Sequence, residues 1–218
     1  MRLIIQLVLW LVIGFLAYMT FNSIYEPIQF NKIKKERYAP VIERLKDIRD
    51  AEMAYKQVTG KFTGDFNRLI EFIDTAKYTI VQRRDSTVLN VERTKAFGVD
   101  MYSEITLIDT LGFVPVRDSL FGNSERYKNL MFVPGTNKSE KFSLEAGNVM
   151  KNESPIPVFE AKVAKAVLLK DQPKDLVHME NQMVSVDAIN GEYIRVGSME
   201  EVNTNGNWPT YYGNIKNE

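Results

Sequence analysis

Hydrophobic and polar positions along this chain follow three different rhythms. Between Leu3 and Phe21 there is no alternation at all. The run "LIIQLVLWLVIGFLAYMTF" is apolar on every side, with Gln6 and Thr20 its clearly polar members. At about 1.5 Å of rise per residue, a helix of this run spans roughly 28 Å, close to the hydrocarbon thickness of a bilayer. A helix in a soluble core would carry a polar stripe. A cleaved signal peptide would show a shorter apolar region followed by a small-x-small site, and "AYMTFNSIYEP" offers no such pair. Residues 1–25 are therefore expected to form an uncleaved transmembrane signal anchor in contact with membrane lipid.

The second rhythm is helical. Ile42, Leu45, Ile48, Ala51, Tyr55 and Val58 recur at three-or-four spacing and define one stripe to be buried. Gly60 stands where a left-handed helix cap is wanted. Pro27 and Pro40 interrupt the preceding segment, and each is expected to kink or break the rod, because proline removes a helical hydrogen bond and crowds the turn before it. Asp65 reads as the N-cap of a second short helix burying Phe66, Leu69, Ile70 and Ile73. Residues 26–76 thus read as an amphipathic stalk helix and a short second helix.

From Lys77 the period shortens. "YTIVQ", "ITLIDT", "FVPVRDSL", "NLMFVP", "KFSLEAG", "IPVFEAKV" and "MVSVDAINGEYIRVG" are short and rich in β-branched and aromatic residues. Turns are expected at 145–148, 152–155 and 171–175. In the last segment a three-residue loop, Ile189–Gly191, would pair Val184 with Val196 and Val186 with Ile194, with Gly191 in a left-handed bulge position. Pro115, Pro134, Pro155 and Pro157 suit edges and bulges, and 164–170 fits either a strand or a single helical turn. The fold class expected is α+β: a transmembrane helix continuing into an amphipathic stalk, packed on an antiparallel sheet in a β-rich domain over 77–218.

An apolar N-terminal helix interrupted by prolines, an amphipathic second half, then tyrosine and a "G-K-F" step resembles type IV pilins and type II secretion pseudopilins. The resemblance covers about residues 3–73. It implies a helix held in the membrane before assembly, and protein partners in an envelope complex or in self-association. The family's peptidase motif, glycine and phenylalanine with a glutamate five residues into the mature chain, has no counterpart: Gly14–Phe15 lies inside the apolar run and Met19 occupies the fifth position.

Composition mainly removes options. Lys and Arg total 28 against 28 for Asp and Glu, so the basic surplus that neutralises phosphates is missing and no nucleic-acid partner is expected. The chain has no cysteine, which removes thiolate chemistry and Cys-ligated metals. His178 is the single histidine, so any histidine-based acid–base chemistry would run through it, with Asp175 or Glu180 beside it. "TGKF" at 59–62 lacks the leading glycine and the hydroxyl of a phosphate loop. Glu200, Glu201, Asn203 and Asn205 surround Gly206 and could offer oxygens to calcium, as a loop near the C-terminus does in one class of pseudopilins, but without EF-hand spacing. No catalytic, cofactor or metal residue is assigned, and the chain reads as a structural or assembly subunit rather than an enzyme. The alternative is a tethered periplasmic ligand-binding module or hydrolase.

Four Asp–hydroxyl–apolar steps, "DTA", "DST", "DTL" and "DSL", place Thr75, Ser86, Thr110 and Ser119 in a pattern similar to an O-glycosylation sequon used in the periplasm of some Gram-negative bacteria. Lys32, Lys34, Lys35 and Arg37 after the apolar run would by charge counting hold the body in the cytoplasm. The first of them, however, lies eleven residues past Phe21, and large domains translocate largely regardless of such charges. The expected location is a bacterial inner membrane, single-pass, with the globular part in the periplasm.

Overall fold

The computed structural model of the chain describes residues 2–213. It is α+β: one very long N-terminal helix and two antiparallel sheets. Helix α1 (Arg2–Thr59) runs unbroken from the apolar segment into the body. Of the kink or break expected at Pro27 and Pro40, the break does not occur. Each proline deletes one backbone bond from a 58-residue helix, and next to Pro40 the fully buried Tyr38, Val41 and Ile42 clamp the backbone from both sides. Tertiary packing outweighs the local penalty.

The C-terminal end of α1 follows the sequence signals. Gly60 adopts φ 80° and its N–H donates to the Lys56 carbonyl at 2.8 Å, the left-handed cap. Helix α2 (Phe66–Thr75) begins at Asp65, whose side chain accepts from the Asn67 N–H at 2.8 Å. Between the two helices, Phe62 lies against Phe159 with ring centroids 4.7 Å apart, and Lys56 sits over the Phe62 ring. The "GKF" step is thus a plug that pins the end of α1 to the sheet.

Strands β1 (Lys77–Leu89) and β2 (Tyr102–Pro115) pair antiparallel from Lys77↔Pro115 to Leu89↔Tyr102, with a bulge between Ile80 and Val81. Helix α3 (Val91–Phe97) closes the tip of this ribbon, capped by Asn90 and by Gly98 at φ 69°. The chain returns through α4 (Val116–Phe121), where Val116 N–H donates to the Ala76 carbonyl at 3.0 Å. "FVPVRDSL" therefore divides at Pro115 into strand and helix. "NLMFVP" forms a 3-10 turn and a single bridge, Phe132↔Lys141, rather than a strand.

The second sheet has the order β3-β4-β5, with β3 (Ser143–Lys151), β4 (Ser154–Ala164) and β5 (Tyr193–Gly197). Between β4 and β5 lie α5 (Lys165–Leu168) and α6 (Lys174–Gln182). Asn152 and Glu153, at φ 50° and 65°, make the expected turn at 152–155 in the doubly left-handed form that matches strand twist. Pro155 and Pro157 sit where β4 has only β3 beside it, since β5 pairs with Glu160–Ala164 alone.

Two expectations fail. Residues 145–148, expected as a turn, lie inside β3. The hairpin of Val184 with Val196 does not form: Val184 and Val186 are 88% and 92% exposed, and β5 pairs instead with β4 through Val163↔Ile194 and Ala161↔Val196. Ser185 N–H is taken by the Asn190 side chain at 2.9 Å, a local bond that competes with any ladder. Gly191 does adopt a positive φ, 80°.

The core lies between α1 and the second sheet. Ile42, Leu45 and Ile48 are fully buried with Phe159, Ile194 and Val196, and α1 contacts β4, β5, α2 and α4. Of the predicted stripe, Ile42 to Ala51 is buried, Tyr55 is half-buried and Val58 is exposed.

Candidate functional site

Three surfaces are candidates, and each follows from how its element is held. The N-terminal part of α1 stands clear of the body. Its most apolar 18-residue window has mean hydropathy 2.3 and none of it is buried. It is long and apolar enough to cross a membrane. Its few polar and small members include Gln6, Gly14 and Thr20. The Thr20 hydroxyl is already spent on the Leu16 carbonyl at 2.8 Å.

The second surface is the ribbon. Beyond its foot, where β2 touches α2 and α4, its faces carry exposed Ile80, Val88, Leu107, Ile108, Leu111 and Phe113. A two-stranded hairpin is marginal by itself in water, and both of its long edges present unpaired backbone groups. One cross-strand ion pair, Arg84 to Asp109 at 3.0 Å, ties the strands together.

The third surface is the outer face of the second sheet, the side opposite α1. Strand alternation brings Glu145, Glu160, Lys162 and Arg195 onto that face, at a cleft of about 460 Å³ also lined by Glu192 and Glu200. Lys162 Nζ lies 2.6 Å from Glu160 Oε2 and 3.4 Å from Glu145. Arg195 approaches Glu160 at 3.3 Å. The hydrogen bond to Glu160 holds the Lys162 ammonium above its ordinary pKa. The central charges are paired with one another.

Residues singled out from sequence do not converge. His178 and Asp175 are exposed on α6, away from that cleft. Glu180 points inward from the same helix and is buried. Around 200–206 the polar groups make turns: Ser198 Oγ accepts from the Glu200 and Glu201 N–H groups, and Asn203 accepts from Asn205 N–H at 2.9 Å. Among the described residues no group of three or more His, Asp or Glu is arranged to hold a metal ion. Thr75 ends α2, Ser86 and Thr110 lie in the ribbon, and Ser119 lies in α4 at the ribbon's foot. Ser86 is half-buried and the other three are exposed.

Sequence reasoning missed the buried charges. Lys165 is fully buried, its Nζ donating to Ile189 O at 2.6 Å, Glu180 O at 3.0 Å and Glu180 Oε1 at 3.2 Å. Lys34 on α1 reaches Glu180 Oε2 at 2.9 Å. Burial pulls the Lys165 pKa down and the Glu180 carboxylate opposes that. Glu52, also fully buried, accepts the Thr63 N–H at 3.0 Å through Oε2. Burial pushes its carboxyl pKa up to about 8. These groups fasten α1 to α5, α6 and the plug. They are struts, and no sequence periodicity marks them.

A scan against protein-family models finds no match, and searches of curated proteins and of solved structures find none either.

Proposed function

We propose that this chain is a single-pass, membrane-anchored envelope protein whose α+β body acts as a structural or assembly subunit, in the manner of a pilin-like component or an accessory of secretion or motility machinery. The observation that carries the reading is continuity. A single helix leads from an unburied apolar segment straight into the core of the folded body, so the body is held at a fixed distance from whatever surrounds the segment. The membrane is the bacterial inner membrane and the body faces the periplasm. The candidate O-glycosylation residues Thr75, Ser86, Thr110 and Ser119 all lie on the ribbon or the two short helices at its foot.

The test is gentle extraction of the tagged chain from its own membranes, followed by sizing and identification of companions by mass spectrometry. A defined complex or a ladder of self-oligomers supports the reading, and a lone monomer counts against it. Protease added to spheroplasts should digest the body, and unmodified peptides spanning the four hydroxyl residues would remove the glycosylation element.

The outer-face cleft favours a second reading, a tethered ligand-binding module or hydrolase. Under it, Glu160→Gln would abolish a biological phenotype at unchanged protein level, whereas the assembly reading expects that phenotype to persist.

A further inference from the structure

Among the described residues, the ribbon's two edges pair with no other strand and, beyond its foot, no element covers it. Its charges are sorted by strand, Asp85 apart. β1 carries Lys77, Arg83 and Arg84 against Asp85 alone. β2 carries Glu104 and Asp109 and no basic residue. Natural edges usually protect themselves with prolines, bulges or inward charges. Here the bulge lies near the foot, between Ile80 and Val81, and the one proline terminates β2. The remaining length is free to add a strand.

Charge decides which strand fits. An antiparallel pairing of β1 with β1 of another copy, centred on the strand, sets Arg83 against its own counterpart with the two Arg84 side chains close by. A β2–β2 pairing gathers carboxylates with no cation between them. Like charges across a ladder are unfavourable. β1 against β2, in the register the ribbon itself uses, sets Arg84 beside Asp109 and places no like charges directly opposite one another. We propose that the ribbon is a copy-to-copy joint, in which β1 of one chain pairs antiparallel with β2 of the next.

Geometry supports the same choice. Because β1 and β2 of one ribbon are antiparallel, adding β1 of the next copy beside β2 as a further antiparallel strand sets successive ribbons in the same direction. Neighbouring copies are then related by a translation combined with the sheet twist of two strands, roughly 45°, and the α1 helices of adjacent copies leave toward the same side, so their apolar segments enter one bilayer. Such a contact uses different patches on its two sides and repeats rather than closing on itself as a two-fold pair does. The inference deepens the anchored-subunit reading and rests on it for the shared bilayer.

The chain contains no cysteine, so introduced thiols report without background. Full-length Thr87→Cys protein is co-expressed with full-length chains carrying one cysteine stepped through positions 104–109, and membranes are oxidised with copper phenanthroline. Disulfides need Cα atoms within about 7 Å. Adjacent strands meet this, while strands two apart lie about 9.5 Å from one another. The mixed dimer should dominate over both homotypic dimers and peak at alternate positions. Arg83→Glu with Arg84→Glu should lower it about five-fold. Predominant homotypic dimers, a disulfide-free chain at every position, or a ribbon protected by a different protein would overturn the joint. Carbonate extraction of the same membranes separates the two ideas: a chain that stays with the membrane yet never cross-links refutes the joint alone, and a chain released by carbonate refutes the anchor.

Discussion

Replacing Glu52 by glutamine should remove a pH dependence that the fold imposes on itself. Glu52 is fully buried on the core face of α1. One carboxyl oxygen accepts the Thr63 N–H at 3.0 Å, while Oε1 has no hydrogen-bond partner among the described residues. Burial raises the carboxyl from 4.5 to about 8, opposed in part by the Thr63 hydrogen bond. Because the folded protein holds this proton more tightly than the unfolded chain, its stabilising effect is complete below about pH 4.5 and is lost as pH rises through about 8. Each pH unit in that window is worth about 1.36 kcal/mol, which bounds the loss at on the order of 5 kcal/mol. Glutamine keeps an oxygen for Thr63 and carries no proton to lose. Urea unfolding of the full chain in detergent, followed by Trp208 fluorescence in a Trp10→Phe background, should show Glu52→Gln gaining on the parent by several kcal/mol between pH 5 and pH 8. A difference between the two proteins that stays constant across that window would refute the argument, because it would mean Glu52 is charged, or protonated, equally in both states.

Lys165→Ala should cost about 3–5 kcal/mol, since it leaves Glu180 with Lys34 alone and the Ile189 carbonyl unbonded; thermal unfolding by circular dichroism measures it. Lys165→Met should cost less by refilling the space, although Glu180 remains short of a partner. Gly197→Ala should be far worse than Gly191→Ala although both sites have positive φ, 77° and 80°. A Cβ at 197 would lie 2.2 Å from the Phe159 carbonyl oxygen, while at 191 it meets open space. The losses expected are about 3 kcal/mol or more and about 1 kcal/mol, read from urea midpoints.

Local rules were enough for several elements. The apolar run, the Gly60 stop, the Asp65 cap and the turn at 152–155 depend on chemistry within a few residues, and each stands in the structure where the sequence places it. A helix break at proline and the 184–196 hairpin do not occur, because distant partners decide both. Packing around Tyr38, Val41 and Ile42 keeps α1 continuous as a helix through Pro40, and β4 takes the strand that local pairing assigned to Val184 and Val186. Buried Glu52, Lys165 and Glu180 were illegible for a related reason, since a charged residue read along the chain is placed at the surface unless its partner is known. What the sequence by itself determined is the membrane-length helix, the helical stalk and the α+β class, because these arise from periodicity and from backbone preferences. What only the tertiary structure decided is which strand pairs with which, which charges go inside, and that residues 77–115 stand out as a ribbon with unpaired edges. Those outcomes depend on contacts between residues far apart in the chain, whose free energies exceed the local preferences they override.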